Sequence, residues 1–196
     1  STQFHTGLLM PVREISILCK KYGAQLLVDG AQSCGALNVD VREEGVDFLM
    51  APTHKWLMGI EGAAFIFISE RAMNHLVFRR TGWMSYEGGL EFLFGEPEKL
   101  SYENEVRKKP SFLEIGMSNS IGFAALEAGI SLHLHLGMSE TRAYIQSLHD
   151  KLEDGLLSIG YKSVRQKDKS SRSSILSMLP PKGLSTRDVA GEFTKK

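Results

Sequence analysis

Two short segments carry side chains whose types and spacing could do chemistry together. Asp29-Gly30-Ala31-Gln32 follows the apolar run Leu26-Leu27-Val28, and Thr53-His54-Lys55 follows the apolar run Val46 to Met50. Each segment puts polar groups just beyond the carboxyl end of a short apolar strand. In an open parallel sheet, ligands bind in the crevice outside those ends. If the two strands are neighbours, the Asp29 carboxylate and the Lys55 amine face one crevice, and Gln32 adds an amide donor and acceptor. A lysine amine bonds covalently to a carbonyl carbon, and a carboxylate favours the protonated form of a basic nitrogen held against it.

The elements that must position these groups are legible from pattern. Pro11 to Tyr22 reads as a helix with Ile15, Leu18 and Cys19 on one face and Gly23 closing it. Residues 24–28, 46–50 and 63–68 read as short apolar strands, which suggests a mostly parallel sheet covered on both faces. Residues 79–110, rich in Gly and aromatic residues, read as a long functional, interfacial or simply covered loop. Helices are predicted near 118–136 and 139–158, the second with Leu148, Leu152, Leu156 and Leu157 as its apolar stripe. Strands are predicted near 161–164 and 174–178, and a helix from Ser185.

Composition narrows the class. Hydrophobic content of 42% and charged content of 23% are those of a folded globular chain. Lys+Arg and Asp+Glu are equal at 23 each, so no basic surplus argues for nucleic acid or an anionic membrane. No apolar run approaches the length of a bilayer span. No signal peptide is visible, and two cysteines make neither a disulfide framework nor zinc spacing, so a reducing cytoplasm is expected. Other features have plain readings. Gly7, Gly59 and Gly62 serve backbone turns, Cys34 is a small packed residue, and Trp56 packs near the site. His133 and His135, two apart on a helix, point to different faces, so no metal site is expected. Neither G-x-S-x-G nor H-E-x-x-H occurs, which leaves a serine or metal hydrolase without support.

A lysine for a Schiff base, an Asp for a pyridine nitrogen and polar donors for a phenolate oxygen and a phosphate are the parts that pyridoxal 5'-phosphate (PLP) requires. The D-G-A-Q segment, the His54-Lys55 pair, the Gly-rich turn and the apolar strand after it resemble the class V aminotransferases, the group of cysteine desulfurases, selenocysteine lyases and isopenicillin N epimerases. The resemblance implies that Asp29 holds the pyridine nitrogen, Gln32 the phenolate oxygen and His54 the phosphate, while Lys55 forms the Schiff base. Pro52 stands where many members have a phosphate-binding Ser, with Thr53 as its substitute. In the stretch from Ser111 to Asn119, Met117 stands where the family has a Thr that reaches the partner subunit's phosphate, and Ser118 offers a hydroxyl.

The implied fold is α/β, the large domain of a fold-type I PLP-dependent transferase. It is incomplete here and covers 1–136, with a connecting helix and the start of a small α+β C-terminal domain over 137–196. The implied activity is that of a PLP-dependent enzyme acting at the α-carbon of a small amino acid, as a lyase, epimerase or aminotransferase. The implied assembly is a homodimer, with no nucleic-acid or membrane partner. The alternative is a truncated, non-catalytic fragment or assembly module of such an enzyme.

Overall fold

The computed structural model describes residues 1–99, 101 and 103–195. After an opening segment comes helix α1 (Val12–Lys21), whose acidic Glu14 lies in the first turn and whose Lys20 and Lys21 lie in the last, as the helix dipole favours. Its inward positions are Val12 and Ser16, while Leu18 is exposed. The buried polar residue is accommodated because Ser16 Oγ donates to the Gly45 carbonyl at 2.8 Å.

Strands β1 (Leu27–Asp29), β2 (Phe48–Pro52) and β3 (Ala64–Ile68) form one sheet in that order. β1 and β2 run parallel with Asp29 opposite Met50, and β2 and β3 run antiparallel with Met50 opposite Ile66. Within these residues the sheet is therefore mixed, not mostly parallel. The reason is the connection. Only 53–63 separate β2 from β3, too few for the crossover that a parallel pair needs, so the chain turns straight back. Val12, Val28, Val46 and Leu49 make the core between α1 and the sheet, and Ala51, Leu57 and Leu126 make a second one on the side of α4 (Ser120–Leu136).

Asp47 fastens the three strands at the end opposite the crevice. It is 1% exposed. Its carboxylate accepts from the Leu26 N–H at 2.9 Å, from Ser69 Oγ at 3.1 Å and from Arg71 Nε at 2.9 Å, with a second bond from Arg71 Nη2. Arg71 stands on the one-turn helix α2 (Glu70–Met73). One side chain thus ties the start of β1, the start of β2 and the segment after β3.

The stretch read as a long loop holds a short helix α3 (Gly89–Phe94), flanked by turns at Trp83–Ser85 and Pro97–Lys99. It encloses a hollow of about 240 Å³ between Trp83, Tyr86, Phe92 and Asn104. Gly137, at φ 81°, ends α4, and α5 (Met138–Ser158) leaves it at 82°. The predicted leucine stripe of α5 stays open, with Leu148, Leu152 and Leu157 each about half exposed. What anchors α5 is polar. Arg165, its side chain 3% exposed, bonds Asp150, Glu153 and Gln146 along the helix. β4 (Lys162–Ser163) and β5 (Met178–Leu179) form a separate antiparallel pair, and α6 (Thr186–Phe193) follows with Ser185 as its cap. The predicted strand at 174–178 starts later because residues 173–177 bond the opening segment. The Ser173 N–H donates to the Gly7 carbonyl and Ser177 Oγ to the His5 carbonyl. No single helix among the described residues is long and apolar enough to cross a membrane.

Burial alone would raise the Asp47 pKa, but the bonds from Leu26, Arg71 and Ser69 outweigh it and hold the carboxyl below its ordinary value. A depressed folded-state pKa contributes stability that is fully present above the unfolded value of about 3.9 and is lost as pH falls through the folded one. Asp47→Asn should cost about 2–3 kcal/mol at neutral pH, somewhat under the full cost of breaking a buried pair because Arg71 still reaches water. Denaturant titrations from pH 7 to pH 3 should show this gap narrowing as the wild type loses the Asp47 contribution.

Candidate active site around Lys55

The parallel pairing of β1 and β2 puts the two candidate segments side by side. Asp29 ends β1, and its Oδ1 accepts from the Ala31 N–H at 2.8 Å, the Asx turn expected of Asp-Gly. The chain then coils tightly, with the Ser33 and Cys34 amides both donating to the Gly30 carbonyl. Lys55 lies three residues past the end of β2, exposed in the β2–β3 connection beside an exposed His54. Asp29, Ala31, Gln32 and Lys55, together with Ser1 and Phe4, line a cleft of about 350 Å³. Of the residues predicted to share a site, Asp29, Gln32 and Lys55 are therefore brought together. Lining by Ser1 and Phe4 had no signal in the sequence.

The turn that carries Lys55 is held from several directions. Inside it, Thr53 is fully buried, its hydroxyl donates to the Ile60 carbonyl at 2.6 Å, and its N–H donates to the Ala63 carbonyl at 3.1 Å. Thr53 is thus not the phosphate-binding substitute that the sequence suggested. Its hydroxyl is spent closing the turn, and burial takes it away from any ligand. The Met58 N–H donates to the Lys55 carbonyl at 3.0 Å, and Met58 itself takes φ 55°, a left-handed backbone costing a non-glycine residue roughly 1–3 kcal/mol. From below, His133 of α4 donates from Nε2 to the Trp56 carbonyl at 2.8 Å. This identifies the histidine as a structural clamp, and the bond fixes the proton on Nε2. A Cβ at Gly129 would fall on the Leu57 carbonyl oxygen, and one at Gly35, where φ is +92°, would fall on the Trp56 peptide. Both glycines let backbones meet where no side chain fits.

Trp56 does more than pack. Its indole Nε1–H donates to Gln32 Oε1 at 3.2 Å, linking the lysine turn to the segment after β1. The Gln32 carbonyl in turn accepts from Ser174 Oγ at 3.3 Å. On its other side, Lys55 borders an apolar groove formed by Trp56, Met58, Leu132, Leu136 and Ile145. Cys34 packs against both core clusters, and burial pushes its thiol pKa up, the opposite of an activated nucleophile. Ser118 lies apart, exposed just before α4, where its neighbour Asn119 caps the helix by accepting from the Gly122 N–H. It is not among the residues that line the Lys55 cleft.

This arrangement has known counterparts. The family described as Aminotransferase class-V matches residues 2–195. The chain belongs to the class V aminotransferase family. Among its relatives is the uncharacterized aminotransferase YcbU of Bacillus subtilis (strain 168), 28% identical over 145 residues, which are 74% of this chain and 36% of that protein. The cysteine desulfurase of Thermococcus onnurineus NA1 superposes with a TM-score of 0.83 at 24% identity, over 99% of this chain and 46% of its own. C-DES, solved with glycine covalently linked to its PLP cofactor, superposes with a TM-score of 0.80 at 22% identity, over 97% of this chain and 48% of its own. These likenesses establish the fold-type I architecture. The chain spans less than half the length of each relative named here.

The contact of α4 with the lysine turn generates a test. Gly129→Ala should destabilise by about 1–3 kcal/mol, the usual cost of overpacking, although alanine is the better helix former. Thermal or denaturant melts decide the sign.

Proposed function

We propose that the full-length protein is a PLP-dependent enzyme acting at the α-carbon of a small amino acid. The observation that supports this most is the convergence of Asp29, Gln32 and Lys55 on one cleft. The donor set suits the cofactor. Asp29 Oδ1 is held by Ala31, while Oδ2 accepts no hydrogen bond among the described residues, with the Ser1 ammonium close to the carboxylate. Gln32 gives its carbonyl oxygen to Trp56 and keeps its amino group. Lys55 forms no ion pair or side-chain hydrogen bond among the described residues, and it lines the cleft.

PLP, when bound, supplies an electron sink for the negative charge that forms at the substrate α-carbon. Asp29 would hold the ring nitrogen and keep a proton on it, as a close opposite charge does. Gln32 would donate to the ring oxygen and His54 to the phosphate. Lys55 would hold the cofactor covalently at rest and, once freed by the incoming amino acid, accept the α-carbon proton at Nζ. Asx closure at Asp29 and the clamped lysine turn orient both groups before substrate arrives, so little order has to be created during the reaction. Ser118, exposed ahead of α4, is available to a phosphate held by a second copy of the chain, which fits a homodimer. Whether elimination, epimerisation or transamination follows is set by groups that act on the substrate side chain.

Borohydride reduction of the PLP-loaded full-length protein should fix the cofactor to Lys55, seen as a mass shift on its peptide, and Lys55→Ala should lose that adduct. A stable adduct elsewhere at full occupancy would refute the assignment. Asp29→Asn should keep the cofactor yet turn over about a hundredfold or more slowly, the scale on which losing one preorganised electrostatic partner slows catalysis. Steady-state kinetics at saturating PLP would show it.

A further inference from the structure

Gln32 faces the cleft with an amide whose two ends are chemically opposite, and only one of them can serve a ligand oxygen. The amide carbonyl accepts, and the amino group donates. An indole N–H can only donate. Trp56 Nε1 lies 3.2 Å from the Gln32 side-chain oxygen, so the oxygen must face the indole, and the amino group is left for the cleft. The reverse orientation would set two donors against each other and turn the acceptor toward the ligand.

Trp56 is itself held firmly. Its carbonyl accepts a hydrogen bond from Nε2 of His133, a residue 7% exposed and 77 positions away. Its peptide lies against Gly35, three residues beyond Gln32, with no room for a Cβ between them. On the other side of the amide, Ser174 holds the Gln32 backbone through its carbonyl. Both ends of the Trp56–Gln32 bond are therefore anchored to separate parts of the fold, and the bond links the lysine turn to the segment after β1.

We propose that Trp56 is a positioning residue that sets the Gln32 amide as a hydrogen-bond donor toward the anionic ring oxygen of the cofactor. This rests on the PLP reading above and adds to it the group that orients Gln32. A donor on an anionic oxygen favours the state in which that oxygen bears its full negative charge. That state is the one in which the Lys55–cofactor linkage has lost its own neighbouring proton. A correctly turned amide therefore lowers the pH at which the linkage deprotonates, and a free or reversed amide raises it.

The test is a spectroscopic pH titration of the resting, PLP-loaded full-length protein, following the visible absorption band without substrate. Trp56→Phe keeps most of the ring and deletes the N–H. It should raise the midpoint by about half a unit to one unit, the effect of losing part of one hydrogen bond to a charged group. Gln32→Leu should raise it further, and adding Trp56→Phe to Gln32→Leu should then change nothing. Gln32→Glu keeps the shape and the bond from the indole but puts an acceptor where the donor was. It should raise the midpoint by more than Trp56→Phe does, and it carries the test if the Trp56 variant fails to accumulate. A midpoint that ignores Trp56→Phe or Gln32→Glu, or a Trp56→Phe shift that persists unchanged on Gln32→Leu, overturns the proposal while leaving the cofactor reading intact. A wild-type protein that binds PLP without a visible, borohydride-sensitive band overturns the cofactor reading and this proposal with it.

Discussion

The connection between β2 and β3 is the constraint on which the rest depends. Eleven residues must leave one strand, present a lysine and return antiparallel to the same strand. A turn that short exposes several carbonyls that no strand partner can satisfy, and unpaired buried carbonyls are costly. Thr53 answers two of them from within, its hydroxyl at Ile60 and its N–H at Ala63, and His133 answers a third from α4, at Trp56. With those groups satisfied, the left-handed Met58 is tolerated, and Lys55 is carried by a turn whose backbone has few alternatives.

This helps explain which parts of the site were legible in the sequence. Asp29 and Lys55 could be placed because each follows an apolar run, and strand ends define where a crevice opens. Their chemistry followed from residue type and order. Thr53 could not be placed, since a hydroxyl beside a lysine is equally suited to a ligand outside or a carbonyl inside, and only the tightness of the turn decides. Residues two apart on a helix diverge, so the sequence offers His133 no partner in His135. Its true partner, a carbonyl 77 residues earlier, leaves no periodic trace. Trp56 was read as packing because an aromatic beside a lysine has no required partner until Gln32 is seen next to it.

The same contrast holds for the fold. Strand positions came through within a few residues, as apolar runs bounded by turn residues. The direction of β3 did not, because apolar content is blind to direction, and the short connection was the better guide. α5 shows the limit of periodicity. Its leucines recur at helical spacing and yet stay open in this chain, while the polar set Gln146, Asp150 and Glu153 grips the nearly buried Arg165. A helical stripe says which residues share a face. It does not say which face is covered.

The two glycines of α4 have a further consequence. Gly122 meets Ala63 at the end of the lysine connection and Gly129 meets Leu57 near its middle, seven residues and so roughly 10 Å apart along the helix axis. The helix therefore acts as a ruler with two notches, both read by the same short stretch of chain. Inserting or deleting one residue between the notches would rotate one relative to the other by about 100° and leave a side chain where the lysine connection must pass. The spacing of the turn that carries Lys55 is in this sense measured off by the helix packed beneath it.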